Sequence, residues 1–154
     1  EDYVFVGPSV VFTKDPNQRD KYHKKKFPEY GKWKETVVKE GASLGANCTI
    51  VCGNTIGKCA FIGAGAVVCK DVPDHALVVG VPARIVGWVC ECGNKIDFKT
   101  RIDTNRETNG HKDTDGDAKG NTNKHEYENG HEYGKCVVCG AEYEKHDTIV
   151  KKIS

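Results

Sequence analysis

Four of the eight cysteines fall in two short pairs, Cys90-Glu91-Cys92-Gly93 and Cys136-Val137-Val138-Cys139-Gly140. Thiolates bind zinc strongly, and four of them close a tetrahedral shell with no vacant position. Such a quartet holds a metal for structure and not for catalysis. The glycine behind each pair lets the backbone turn its amides toward the sulfurs. Cys-x-Cys is tighter than the commoner Cys-x2-Cys, and 43 residues separate the pairs. A redox dithiol pair and unligated thiols are the competing readings. We expect Cys90, Cys92, Cys136 and Cys139 to hold one structural zinc in a zinc ribbon.

The other four, Cys48, Cys52, Cys59 and Cys69, belong to a different pattern. Read in sixes from Val38, the chain gives VKEGAS, LGANCT, IVCGNT, IGKCAF, IGAGAV and VCKDVP. An aliphatic residue opens each block: Val38, Leu44, Ile50, Ile56, Ile62 and Val68. The fifth position is slim: Ala42, Cys48, Asn54, Ala60, Ala66 and Val72. A period of six suits neither an α-helix nor an ordinary amphipathic strand. It suits a parallel β-helix, in which three short strands and three corners make a coil of 18 residues. Leu44 then stacks on Ile62, Ile50 on Val68 and Cys48 on Ala66. Gly45, Gly57 and Gly63, directly after the aliphatic, are expected at the corners. No two of these four cysteines are 18 apart, so the register favours no disulfide, which fits a reducing compartment.

The elements around the coils follow in order. Residues 3–12 match an earlier coil in phase from Val6, and residues 13–36 interrupt the repeat. That interruption carries eight Lys or Arg against four acids, with two prolines and four aromatics. A long basic loop thrown from a regular coil suits a polyanionic substrate such as a nucleotide sugar; a solvated loop is the bland alternative. After the coils, Pro73 breaks the strand pattern. Residues 77–88 give a strand, a Gly-Val-Pro-Ala-Arg turn and an exit segment. Between the cysteine pairs, residues 103–124 contain one apolar side chain, Ala118, too little to bury on its own. Asp113, Asp115 and Asp117 lack the glycine and the twelfth-position acid of a calcium loop. Asn129-Gly130 signals a hairpin, and His111, His125 and His131 are read as solvated.

The expected organisation is therefore all-β: a β-helix over 1–88 with a basic loop at 13–36, then a zinc ribbon over 89–154 interrupted at 99–134. The chain has no methionine, starts at Glu1, and shows only two complete coils where roughly three are needed. It reads as N-terminally truncated. A net charge of +1 gives no pull toward nucleic acid. No apolar run approaches the roughly 20 residues of a membrane span, and no signal peptide is visible. No membrane or nucleic-acid partner is expected, and a cytoplasmic location is.

The string from Thr36 to Gly93, with VFVGPSVVFTKD before it, resembles the hexapeptide-repeat acyltransferases. Within them it is similar to the UDP-2-acetamido-3-amino-2,3-dideoxy-glucuronate N-acetyltransferases with a C-terminal zinc ribbon. The resemblance implies a left-handed parallel β-helix, a homotrimer, and acetyl-CoA lying between neighbouring β-helices. It puts Pro82, Ala83 and Arg84 near the nucleotide end of CoA, Lys70 near the phosphates, and the amides of Gly63, Ala64 and Ala66 along the pantetheine arm. Ser9 and Lys14 stand where the family has Asn, while Asp15 matches. These three and His23, the one histidine of the basic loop, are the catalytic candidates. The rival for Arg84 is a structural ion pair with Asp74. Among other functions, γ-type carbonic anhydrase chemistry needs histidines between coils, and residues 37–73 have none. The remaining alternative is a non-catalytic β-helix and zinc-ribbon module for assembly or nucleic-acid binding.

Overall fold

The computed structural model describes residues 1–15, 33–100 and 131–154. Eight two-residue strands form the coils: β1 (Phe5–Val6), β2 (Val11–Phe12), β3 (Val37–Val38), β4 (Ser43–Leu44), β5 (Thr49–Ile50), β6 (Thr55–Ile56), β7 (Phe61–Ile62) and β8 (Val67–Val68). They stack in parallel as three columns. Val6, Leu44 and Ile62 register in one, continued by Val78 of β9 (Ala76–Val79). Phe12, Ile50 and Val68 make the second, and Val38 and Ile56 the third. Leu44, Ile50, Ile56 and Ile62 are fully buried, as are Ala42, Cys48, Ala60 and Ala66 beside them. The 18-residue period is thus the observed register. Cys48, Cys52, Cys59 and Cys69 are free thiols.

Three features differ from the expectation. Val72, assigned to a slim fifth position, instead bridges Ile56, so it fills the aliphatic place of the third column. That coil is two residues short, which Pro73 accommodates by closing the strand at once. Gly45, Gly57 and Gly63 do not supply left-handed corners. The positive-φ residues lie three places after the aliphatic: Ser9, Gly41, Asn47, Gly53, Cys59, Gly65 and His75, with φ between 52° and 83°. The glycines after the aliphatics are required by close backbone approach between coils. A Cβ on Gly45 would lie 2.6 Å from the Ala64 amide nitrogen, and one on Gly57 2.4 Å from that of Asp74. Finally, residues 99–100 and 131–134 do not belong to an unstructured insertion. β12 (Phe98–Thr100) pairs antiparallel with β13 (His131–Lys135), and a Cβ on Gly134 would lie 2.5 Å from Ile96. Asn129-Gly130 and the apolar-poor run at 103–124 lie outside the described residues.

β10 (Arg84–Val89) runs back along β9 and continues to β11 (Lys95–Ile96). β13, β14 (Glu142–His146) and β15 (Ile149–Lys152) complete an antiparallel sheet with β12. The described residues therefore form two cores. One holds the coil columns, the other Cys90, Ile96, Cys136, Tyr143 and Val150, and Trp88 packs against both. His75 joins them as well. Its Nδ1–H donates to the Val89 carbonyl at 2.9 Å, the Val89 amide donates to the His75 carbonyl at 2.8 Å, and its ring meets Tyr143 edge-on at 5.2 Å. Burial pushes its pKa down, so the neutral ring is the folded form. Among the described residues no helix is long and apolar enough to cross a membrane.

Two glycines separate the two backbone requirements. Gly65 has φ +68° with no atom within 4 Å of its added Cβ, so Gly65→Asn should shift stability by less than about 1 kcal/mol. Gly45→Ala forces coils apart and should destabilise by roughly 1–3 kcal/mol or more. Denaturant unfolding of both variants checks this, and an unperturbed Gly45→Ala would count against the close stacking.

Candidate metal centre and cofactor cleft

The first cysteine pair occupies the turn between β10 and β11. The Cys90 amide donates to Asn94 and the Gly93 amide to Cys90, each at 2.8 Å, with Gly93 at φ 86°. The second pair occupies the turn between β13 and β14. There the Cys136 amide donates to Ala141 at 2.8 Å and the Gly140 amide to Cys136 at 3.0 Å, with Gly140 at φ 77°. Both glycines do the work their position suggested. The four sulfurs lie within 4.8 Å of one another, with Cys90–Cys139 at 3.3 Å and Cys92–Cys136 at 3.5 Å. Zn–S bonds of about 2.3 Å give a tetrahedron with edges of about 3.8 Å, so the quartet fits a zinc ion with small adjustment. Among the described residues no other group of three or more His, Cys, Asp or Glu converges in this way.

The surroundings complete the fit. The Tyr143 hydroxyl donates to Cys90 Sγ at 3.1 Å and accepts the Glu91 amide at 3.1 Å, while Asn94 Nδ2 donates to Cys92 Sγ at 3.4 Å. Asn94, through its side chain and then its amide, holds the Cys92 thiol down at about 6. The amides of Cys139 and Val138 lower Cys136. Cys139 is pulled down by the Ala141 amide yet ends pushed up to about 12, because the Cys90 thiol and its other sulfur neighbours compete for the same charge. A divalent cation among the four removes that competition. Lys152 caps the turn through Glu91 at 2.9 Å.

A second feature lies at the end of the coils. Lys70, Pro82 and Arg84, with Val68, Cys69 and Ala83, line a cleft of about 580 Å³. The turn between β9 and β10 is clamped onto β8: the Val67 amide donates to Gly80 at 3.0 Å and the Ala83 amide to Val67 at 2.8 Å. Arg84 Nη1 donates to the Ala83 carbonyl at 3.0 Å, which leaves other donors of its fork to face a ligand. The expected rival partner, Asp74, is engaged elsewhere, accepting the Lys58 amide at 2.7 Å and facing Lys39 at 3.6 Å.

Gly63, Ala64 and Ala66 lie outside this cleft's lining. The amides of Gly63, Gly65 and Ala66 donate to Val78 at 2.8 Å, Ala46 at 2.9 Å and Gly63 at 3.2 Å. The Gly63 and Ala66 amides cannot serve a pantetheine arm without breaking the stack, and the Ala66 methyl is in the core, whereas the Ala64 amide takes no part in these bonds. Ser9 stands at a left-handed corner, φ 58°, the conformation Asn tolerates, so Asn and Ser are both backbone choices there. Lys14 lies over the Trp33 ring at 5.2 Å, clipping together the two ends of the basic loop. Asp15 is half-buried beside it, and His23 is outside the described residues. By register, Thr13 follows the same corner as Val51 and Cys69, and its hydroxyl accepts the Cys52 amide at 2.9 Å. The loop thus leaves the prism on the edge that carries Lys70. Sequence reasoning passed over Tyr143 and Asn94. Asn94 directly follows the first Cys-x-Cys-Gly and could have been noticed, whereas Tyr143 reaches Cys90 only through sheet pairing.

Comparison with known proteins finds likenesses over part of the chain. A dTDP-3-amino-3,6-dideoxy-alpha-D-galactopyranose 3-N-acetyltransferase of Aneurinibacillus thermoaerophilus is 59% identical over 63 residues, covering 41% of this chain and 33% of the relative. A serine acetyltransferase of Escherichia coli K12 is 48% identical over 84 residues, covering 54% of this chain and 31% of the relative. Among solved structures, a hexapeptide-repeat acetyltransferase of Vibrio cholerae complexed with acetyl coenzyme A has 31% identity and a TM-score of 0.46, over 56% of this chain and 46% of that one. No family model matches the chain. The chain spans less than half the length of each of these relatives. The sequence likenesses are to acetyltransferases, and the period-six repeat is the feature this chain has in common with hexapeptide-repeat proteins. The 63-residue likeness is to an enzyme named for acetylating an amino sugar carried on a nucleotide.

The purified chain should carry one zinc ion, measured by elemental analysis. Cys92→Ser should abolish retention, and Tyr143→Phe should weaken it roughly 10–100-fold in a chelator competition. Reduced protein that binds no zinc would refute the assignment of the quartet.

Proposed function

We propose that the chain is part of an acetyl-CoA-dependent N-acetyltransferase acting on an amino-sugar nucleotide, a precursor of surface polysaccharide, with Cys90, Cys92, Cys136 and Cys139 holding a structural zinc. The observation that carries the reading is the cleft in which Lys70 and Arg84 meet beside the clamped Gly80–Ala83 turn. Lys70 and Arg84 suit the phosphates of CoA, while Asp71, the acid that also lines the cleft, accepts the Thr55 amide at 2.7 Å. Guanidinium donates two parallel hydrogen bonds to one phosphate, and the ammonium of Lys70 adds charge without fixed geometry. The 59% identity to an amino-sugar N-acetyltransferase over 63 residues supports the acceptor class.

The reaction asks little acid–base chemistry of the protein. A neutral amine attacks the thioester carbonyl, the tetrahedral intermediate expels CoA thiolate, and the proton lost by nitrogen goes to that sulfur. Position and stabilisation of the oxyanion then carry most of the rate. The basic loop at 13–36, which starts on the edge bearing Lys70, supplies charge for the nucleotide sugar's phosphates. A homotrimer would wall the cleft with a neighbouring β-helix, and a cytoplasmic site gives access to both substrates. A nucleic-acid role for the ribbon is disfavoured because three of its described lysines are paired with acids, Lys135 with Glu142, Lys145 with Glu132 and Lys152 with Glu91.

Calorimetry of acetyl-CoA against 3′-dephospho-CoA tests the assignment. Arg84→Ala should weaken acetyl-CoA by about 1.5–3 kcal/mol, the range for hydrogen bonds to charged groups, and dephospho-CoA much less. Equal losses would make Arg84 a structural residue, and no binding of either ligand to the parent chain would sink the reading.

A further inference from the structure

The outer end of the ribbon sheet carries a pair of histidines that neither the quartet nor the cleft uses. His131, the first residue of β13, and His146, the last of β14, are direct cross-strand partners. Their ring centres are 4.9 Å apart and tilted by 53°. His131 Nδ1 is 2.9 Å from Glu144 Oε1, and His146 Nδ1 is 3.5 Å from Asp147 Oδ2. Glu144 is itself held, because the Tyr133 hydroxyl donates to the same oxygen at 3.1 Å. Both rings therefore turn Nδ1 to a carboxylate. In the neutral tautomer this fixes, the proton sits on Nδ1 and the lone pair on Nε2. A carboxylate behind the non-ligating nitrogen is the arrangement that orients metal-binding imidazoles.

We propose that His131 and His146 form a second metal site, taking a borderline divalent transition ion such as Zn²⁺, Ni²⁺ or Cu²⁺ through their Nε2 atoms, with water completing the shell. Imidazole suits these ions, and Mg²⁺ or Ca²⁺ would be refused for want of oxygen ligands. Metal–nitrogen bonds of about 2.1 Å put neighbouring ligand nitrogens roughly 3.3 Å apart. Rings with centres 4.9 Å apart can bring their Nε2 atoms to that separation by side-chain rotation. Both residues are accessible, with side chains 45% and 52% exposed. Solvated histidines, the expectation from sequence, would need neither the cross-strand register nor the two carboxylates. The ion would staple β13 to β14 at the point where the described chain resumes at residue 131.

The test uses the full chain with the cysteine quartet loaded with zinc, so that the thiolates are occupied. Ni²⁺ is the probe, followed by calorimetry and by histidine NMR shifts. The expected result is one saturable nickel per chain with micromolar affinity, and no response to Mg²⁺. His146→Gln should weaken it at least 10-fold while zinc content stays at one, and Glu144→Gln should weaken it less. A variant with both His111→Gln and His125→Gln should bind nickel as the parent does. No saturable nickel binding up to about 1 mM would overturn the proposal. So would an unchanged His146→Gln, or loss of the site in the His111/His125 variant.

Discussion

The structure depends on the hydrogen-bonded register between successive coils. Each two-residue strand is too short to hold alone; it persists because amides such as Ser43, Gly45 and Thr49 donate to carbonyls one coil away at 2.8 Å. That spacing puts backbones in contact wherever the chain bends, and it dictates two residue choices at once. In the column of Val6, Leu44 and Ile62 the position after the aliphatic must lack a Cβ, as at Gly7, Gly45 and Gly63, where one would fall 2.6–2.7 Å from the next coil. The position two further on must adopt left-handed φ, which Gly, Asn or a strained residue can supply. The aliphatic columns then fill the prism with no polar group to satisfy. A ligand can sit only on the outside of such an object, which is where the cleft lined by Lys70 and Arg84 lies.

The ribbon solves a different problem with different means. Its core has five fully or nearly buried residues, two of them cysteines, too few to fold an isolated sheet of this size by burial alone. A metal among four thiolates supplies the missing free energy in structural zinc modules. The contact between the two parts is built around that centre. Tyr143 bonds to Cys90 and presses its edge on His75, which is the last left-handed corner of the coils. Trp88, two residues before Cys90, packs on both cores. The cysteine quartet and the end of the β-helix therefore share one set of side chains.

How much of this could be read from sequence follows from how local the physics is. The period of six exposes the columns because every coil repeats the same demand on the same residue types. The cysteine pairs are legible because ligand chemistry and turn chemistry coincide within five residues. The misreadings occur where a demand comes from a distant strand. Val72 looks slim in its block, yet the shortened coil delivers it to the place of an aliphatic opposite Ile56. The corner residues Cys59 and His75 carry no glycine signal, since the stack enforces their φ of 52° and 62°. Phe98 to Thr100 join an apolar-poor stretch in sequence, and only pairing with His131 to Lys135 makes them strand. The Gly63, Gly65 and Ala66 amides look available for a ligand until the register assigns each a carbonyl.

β10 shows how the cleft and the metal turn constrain each other. Its last residues, Trp88 and Val89, are paired on both sides, with β9 or His75 on one edge and β11 on the other. Its first residues are paired only with β9, and the ladder skips Val86 between Ile85 and Gly87. Arg84 thus sits on a strand whose free edge carries Ile85 and Val86, 41% and 57% exposed, beside Val81 at 73%. Exposed apolar edges are hazards that proteins cover or pair. A cationic side chain beside such an edge is positioned by β9 and by the turn clamped onto β8, with no strand on its other side among the described residues, so its wall of the cleft is half built within one chain. In the proposed trimer a neighbouring β-helix would cover this edge and close the cleft over the CoA phosphates together. The anchored end at the knuckle fixes where the strand lies, and the bare end leaves room for ligand and neighbour to meet Arg84.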